Sequence, residues 1–227
     1  MAHAFFLGVD VADERSDDPG AVTLSLVEKE QNDEASAVFR LDRVTHEAEA
    51  PDVGVLADRI QSLVAEAPYI GRTSIIVNRR TEAGQQLVDA LDERGLDAVQ
   101  ATMTGGQGAT AGAPDEVGVH VSEYDAVDTL ASLYRDGRME LPGAASEDTS
   151  RLARGIQSFI EMTDNGPGPA DEPSTVDDTP RRREAYDSHV TSAALATWLG
   201  TERSFDPTQH LKEDPQTETP GPGSIGV

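Results

Sequence analysis

Hydrophobic residues in this chain come first as an unbroken run and then in alternation. Phe5-Phe6-Leu7-Gly8-Val9 is a compact apolar stretch that ends on Asp10 and continues into Val11-Ala12. A strand covered on both faces needs such a run. An aspartate at its C-terminal end falls at the rim of the sheet, where α/β folds bind ligands and metals. Residues 13–20 read as an Asp-rich turn closed by Pro19-Gly20. Ala21 to Val27 alternates apolar and polar residues, and Ala37 to Val44 does so again after a charged connection from Glu28 to Glu34. Three strands joined by short polar turns predict an antiparallel meander.

The period then lengthens. Val53, Leu56, Ile60, Leu63 and Val64 recur at helical spacing, with Pro51-Asp52 as the start. Thr73 to Val77 is a second compact apolar run, ending on Asn78 and followed by Arg79-Arg80. Thr81 is placed to cap a helix with Leu87, Val88 and Leu91 inward, and Arg94-Gly95 stops it. Leu96 to Met103 reads as a strand. Gly105 to Gly118 lacks the Lys-Ser/Thr ending of a phosphate-binding loop, so a mobile surface loop is expected there. Helices follow over Ser122–Asp136 and about Ser146–Met162, with the short extended piece Met139 to Pro142 between them. A last helix spans Glu184 to Leu199, with Val190, Ala193, Ala194, Thr197 and Trp198 as its packing face. The predicted organisation is a core over 1–163, a Pro/Gly/Asp-rich disordered linker over 164–183, a C-terminal core helix over 184–199 and a disordered tail over 200–227.

Charge changes the picture of where this chain works. The net charge is −24, and only Lys29 and Lys212 are lysines. Such a surface is expected in multimolar salt, where the Debye length is ~3 Å or less and self-repulsion is screened. The expected setting is the high-salt cytoplasm of a halophilic archaeon, or a virus of one. Contact with nucleic acid then has to come from local arginines, bridging metal ions or a partner protein. The absence of cysteine excludes disulfides and thiolate metal sites. No signal peptide and no run of transmembrane length are expected, and hence no membrane partner.

The order of elements resembles the RNase H-like fold, and more narrowly the nuclease domain of the large terminase subunit of tailed viruses. Leu7-Gly8-Val9-Asp10 is similar to that family's first strand with its metal-binding Asp. Ile75-Ile76-Val77-Asn78, with Thr81 and Gly84, is similar to its fourth strand and exit. Tyr124 to Pro142 resembles the helix and short strand after the variable loop, and Leu152 to Phe159 the helix after that. Asp187-Ser188-His189-Val190 leading into Ala193-Ala194-Leu195-Ala196 resembles the last helix. The resemblance implies a mixed five-stranded sheet, three antiparallel strands followed by parallel ones, flanked by helices. No Walker A sequence accompanies it.

By that resemblance, two divalent ions, Mg²⁺ or Mn²⁺, would be held by carboxylates and would activate water for DNA cleavage. The implied catalytic residues are Asp10 and Asp187, and the implied metal ligands are Asp10, Asn78, Asp187 and His189. Asn78 stands where an acid is expected, and Ser188 and Ser192 stand where acids are common. Glu82 is a candidate substitute acid. Arg79, Arg80, Arg181, Arg182 and Arg183 are candidate DNA contacts. Three functions follow: an active endonuclease, a degenerate nuclease fold kept for binding or assembly, or an assembly protein without nucleic-acid chemistry. The implied partners are DNA and a packaging ATPase or portal. Plainer roles compete at each position. Asp10 also serves to end a strand, and Asn78 to cap the following turn. Asp187 also serves in the first turn of a helix, where exposed N–H groups favour a carboxylate. His189 fits a core or surface position equally well.

Overall fold

A computed structural model describes residues 2–12, 20–31, 37–49, 51–104, 110–111, 118–143, 146–165 and 184–203. The chain runs β1 (Ala2–Val11), β2 (Val22–Gln31), β3 (Val38–Glu47), α1 (Val53–Ala65), β4 (Thr73–Asn78), α2 (Glu82–Asp92) and β5 (Ala98–Thr104). It continues with β6 (Thr110–Ala111), β7 (Val119–Ser122), α3 (Glu123–Arg135), β8 (Met139–Glu140), α4 (Glu147–Asn165) and α5 (Ser188–Glu202). All strands join one sheet in the order β6-β7-β5-β4-β1-β2-β3-β8. The meander β1–β2–β3 is antiparallel, while β4 runs parallel to β1 and β5 parallel to β4. This is the RNase H-like α/β arrangement, with the expected five-strand core at its centre.

Three short strands extend that core. β7 adds parallel to β5, β6 adds antiparallel to β7, and β8 adds parallel to β3. Thr110–Ala111 and Val119–Ser122 fall in or beside the stretch read as a surface loop; residues 105–109 and 112–117 lie outside the described residues. β2 and β3 run three to four residues longer than their clean alternation, because paired polar residues continue the ladder where the hydrophobic signal has ended. Of the expected linker over 164–183, residues 164–165 end α4 and the rest lie outside the described residues; of the expected tail over 200–227, residues 200–202 complete α5 and those from 204 on lie outside them. Among those described, no helix is long and apolar enough to cross a membrane.

Alternate residues of β1 and β4 face two cores. Leu7, Val9, Ile75 and Val77 pack under α1 and α2, with Leu56, Ile60, Leu87 and Leu91. Phe6 and Ile76 face the other side, where α3, α4 and α5 supply Leu130, Leu152, Ile156, Phe159 and Leu195. The helix α5 lies innermost on that side. Every residue from His189 to Thr197 is buried, and Trp198 only partly so. The predicted single packing face is therefore too narrow: a helix sandwiched between a sheet and two other helices is covered all round.

Its small residues allow the close approach. A Cβ on Gly8 would run into the Ser192 carbonyl oxygen, so the β1 backbone meets the α5 backbone directly. Ser25 and Ser192 join their hydroxyls at 2.7 Å beside this contact. At the far end of α5, the Lys29 amine donates to the carbonyls of Gly200 (2.7 Å) and Arg203 (3.0 Å). Burial pushes the pKa of this amine down, but a cation suits the carbonyl-rich end of a helix. One of the chain's two lysines thus pins α5 to β2.

Gly8→Ala tests this contact. Overpacking a backbone-to-backbone seam is expected to cost at least ~2 kcal/mol, seen as a lower urea midpoint at fixed salt. An unchanged midpoint would mean that α5 does not lie on β1 as described.

Candidate functional site

The strand registers bring four polar side chains into a row across the rim of the sheet. Val9 pairs with Val77, which sets Asp10 beside Asn78. Asp10 pairs with Thr23, and Thr23 with His46. Adjacent strands lie ~4.8 Å apart, so Asn78, Asp10, Thr23 and His46 stand side by side on the face that α5 covers. Their side chains are bonded in two pairs. The Asn78 amide nitrogen donates to Asp10 Oδ1 at 2.7 Å, and Thr23 Oγ1 lies 2.9 Å from His46 Nδ1. Asp10 and Asn78 are each 6% exposed, and Thr23 is fully buried. Asn78 also accepts from the Arg80 N–H at 3.3 Å, so the expected turn-capping role and the contact with Asp10 coexist.

The N-terminus of α5 closes over this row. Thr23 donates to the Ser188 hydroxyl at 2.8 Å, and the His189 ring stacks on His46 with centroids 4.6 Å apart. Asp187 is the N-cap of α5, which starts at Ser188 rather than at Glu184 as the sequence pattern predicts, so the carboxylate lies before the first turn and not within it. Its Oδ1 accepts from the His189 and Val190 N–H groups, at 2.9 and 3.1 Å. Its Oδ2 accepts from Arg151 Nε at 2.9 Å. His189 is fully buried; its Nε2 lies 3.3 Å from Asp148 Oδ1. Its Nδ1 sits 3.5 Å from Asp187 Oδ2, an electrostatic contact without an aligned hydrogen bond. Asp148 Oδ2 accepts from the His46 N–H at 3.3 Å.

Asp10, Asn78, Asp187 and His189 therefore do gather at one end of one sheet face, with Thr23 and Ser188 as the link. Glu82 is not part of the group: it is exposed at the start of α2 and bonded to Gln86. Arg79 turns to the opposite face of the sheet, where its guanidinium donates to Thr102 and Gln100. Arg80 reaches toward Glu123 at the start of α3, at 4.0 Å. Arg181, Arg182 and Arg183 lie outside the described residues.

Sequence reasoning missed Thr23, His46, Asp148 and Arg151. Two signals were present. The alternation that reaches Val44 has His46 next in phase. Asp148 precedes Leu152 and Ile156 by four and eight residues and so shares their helix face. Arg151, three residues on, is carried to the same end of α4. Ser146 fixes where that helix begins by accepting from the Thr149 N–H at 3.1 Å.

The electrostatics of Asp187 follow from these contacts. Burial alone would raise its pKa, but the nearby His189 ring, the Val190 N–H and the Arg151 guanidinium outweigh it and hold the carboxyl below its ordinary value. The arrangement can fix a helix terminus and store a charged pair at the sheet rim. Among the described residues, no three His, Asp or Glu side chains are grouped so as to hold a metal ion.

No family model matches this sequence, and no curated protein matches it either. Solved structures do. The human cytomegalovirus terminase nuclease domain is 13% identical, covers 87% of this chain and 84% of its own, and superposes with a TM-score of 0.50. The large terminase from a thermophilic bacteriophage is 9% identical over 68% of this chain, with a TM-score of 0.43; this chain spans 31% of that protein. Thermus thermophilus RuvC is 11% identical, covers 85% of this chain and 90% of its own, with a TM-score of 0.39. The likeness to the cytomegalovirus domain carries the fold assignment.

A pH series tests the Asp187 assignment. A carboxyl with a depressed folded pKa contributes stability that is whole above its unfolded pKa of ~3.9 and is lost as pH falls through the folded value. The stability difference between the wild type and Asp187→Asn is therefore expected to be constant from neutral pH to ~5 and to shrink in more acid solution. Urea titrations at each pH read it. A difference that does not vary with pH would show that Asp187 carries no depressed pKa.

Proposed function

We propose that this chain is a nuclease-fold protein of viral DNA packaging whose sheet rim serves binding or assembly, its metal set being incomplete. The observation that carries this reading is the Asn78 amide donating to Asp10 at 2.7 Å. Where a metal site needs a second anion, this rim has a hydrogen-bond donor aimed at the first one. Mg²⁺ and Mn²⁺ require several oxygen ligands with free lone pairs. Asp10 Oδ1 is taken by the Asn78 amide. Both Asp187 oxygens are engaged, one by the helix terminus and one by Arg151. His189 is buried and faces Asp148 rather than Asp10. These residues do not fit a two-ion site.

Two further features support the reading. The fold resembles that of a terminase nuclease domain, which supports DNA and a packaging ATPase or portal as the proposed partners. Among the described residues the Arg79 side chain contacts only uncharged groups; Arg79, Arg80 and the Arg181–Arg183 run are the proposed contacts for phosphates or an acidic partner surface. The acidic, lysine-poor composition supports a high-salt setting, and assays belong in such buffers. A competing reading, an active endonuclease, draws on the placement of Asp10 and Asp187 at one rim.

Plasmid incubated with the purified protein and MnCl₂ in high salt separates the two readings. The expected outcome is no nicking above background, together with retained DNA binding. Arg79→Glu/Arg80→Glu is expected to weaken that binding and to lower its salt slope by ~2. Cleavage that Asp10→Ala abolishes would overturn the proposal.

A further inference from the structure

Resting on the incomplete-metal reading above, we infer that the Arg151 guanidinium is the resident cation of this rim, neutralising Asp187 in place of a divalent ion. The chain carries a net charge of −24, and at this rim it buries Asp10 and most of Asp187, with Asp148 close by. Carboxylates gathered in a poorly solvated place need a counter-charge. α4 supplies it. Arg151 Nε meets Asp187 Oδ2 at 2.9 Å, on the one oxygen that the α5 N-terminus leaves open. The approach is fixed by close packing at Gly155, one turn after Arg151: a Cβ there would run into Val190 Cγ2 of α5 and the Glu184 carbonyl just before that helix.

Arginine suits the role. Its guanidinium is permanently charged and less strongly hydrated than an ammonium, and so tolerates a partly buried pairing. Asp148, on the same helix, completes the arrangement by meeting His189 Nε2 and the His46 N–H. The result is a rim whose charges are balanced from within the chain, joining β3, α4 and α5. A divalent ion on Asp187 would face the guanidinium at contact distance, and like-charge repulsion would exclude it. Arg151 is thus a positioning residue with a second effect: while it is present, the carboxylates it serves are closed to metal.

Thermal unfolding in one high-salt buffer, with and without MnCl₂, tests this on the wild type, Arg151→Lys, Arg151→Gln and Asn78→Asp/Arg151→Gln. The wild-type Tm is expected not to move with MnCl₂. Arg151→Gln is expected to lower it by roughly 5 °C, and Arg151→Lys to lose less than half of that. MnCl₂ should restore part of the loss in Arg151→Gln and more in the double variant, where a further carboxylate is added beside Asp10, because a ligand that binds only the folded state raises its stability. A merely structural loss would not respond to the ion. If Arg151→Gln fails to fold, its refolding yield with and without MnCl₂ reads the same rescue. An undiminished Tm for Arg151→Gln, or no response to MnCl₂ in either glutamine variant, overturns this inference and leaves the incomplete-metal reading standing. A saturable rise in the wild-type Tm that Asp10→Asn removes overturns that reading itself.

Discussion

The seating of α5 on β1 and β2 is the constraint from which the rest of this structure follows. At Gly8 the strand and helix backbones are in contact, and no other residue fits there. Ser25 and Ser192 bond across the seam, and Lys29 holds the far end through two carbonyls. With that end and the middle fixed, the near end has one position. It must close over the polar row at the sheet rim, delivering Ser188 to Thr23 and His189 to His46. Everything said about the rim depends on this placement of a helix that follows β1 by almost the whole length of the chain.

What gathers at the rim is chemically particular. An enzyme site that holds divalent ions keeps its carboxylate lone pairs open to them. At this rim the carboxylates have internal partners: an amide for Asp10, and helix N–H groups and a guanidinium for Asp187. Buried polar groups that are fully paired add rigidity and specify one arrangement, whereas half-paired ones are costly. This rim is close to the first condition. Of its buried polar atoms, His189 Nδ1 is the exception, lying within reach of Asp187 but unaligned with it. Such pairing fixes the shape of the rim.

How much of this could be read from the sequence varied with the kind of force involved. The five core strands and the helices α1 to α5 follow from hydrophobic period, because burial decides them. Asp10 and Asn78 were legible as strand-end positions for the same reason. Asp187 was placed at the right helix end but inside it, because the helix was started at Glu184 rather than Ser188; capping is decided by local backbone geometry. Thr23, His46, Asp148 and Arg151 were not found. Their roles come from strand register and from the crossing of α4 over α5, and neither is set by the period of either segment. The single packing face expected for α5 was too narrow for a similar reason: the pattern within a helix does not reveal how many layers cover it. The strands β6 and β7, of two and four residues, are too brief to leave a periodic signal, whereas β8 falls within the extended piece expected from Met139 to Pro142.

The most direct test of this account is the coupling energy between Asp10 and Asn78, from a double-mutant cycle of Asp10→Ala, Asn78→Ala and the double variant in urea at fixed salt and neutral pH. A buried hydrogen bond to a charged group is worth ~1.5–3 kcal/mol, so the account predicts a coupling of at least ~1 kcal/mol. Additive single effects, with a coupling indistinguishable from zero, would place the two side chains apart and contradict the convergence of β1 and β4 at a shared, internally paired rim.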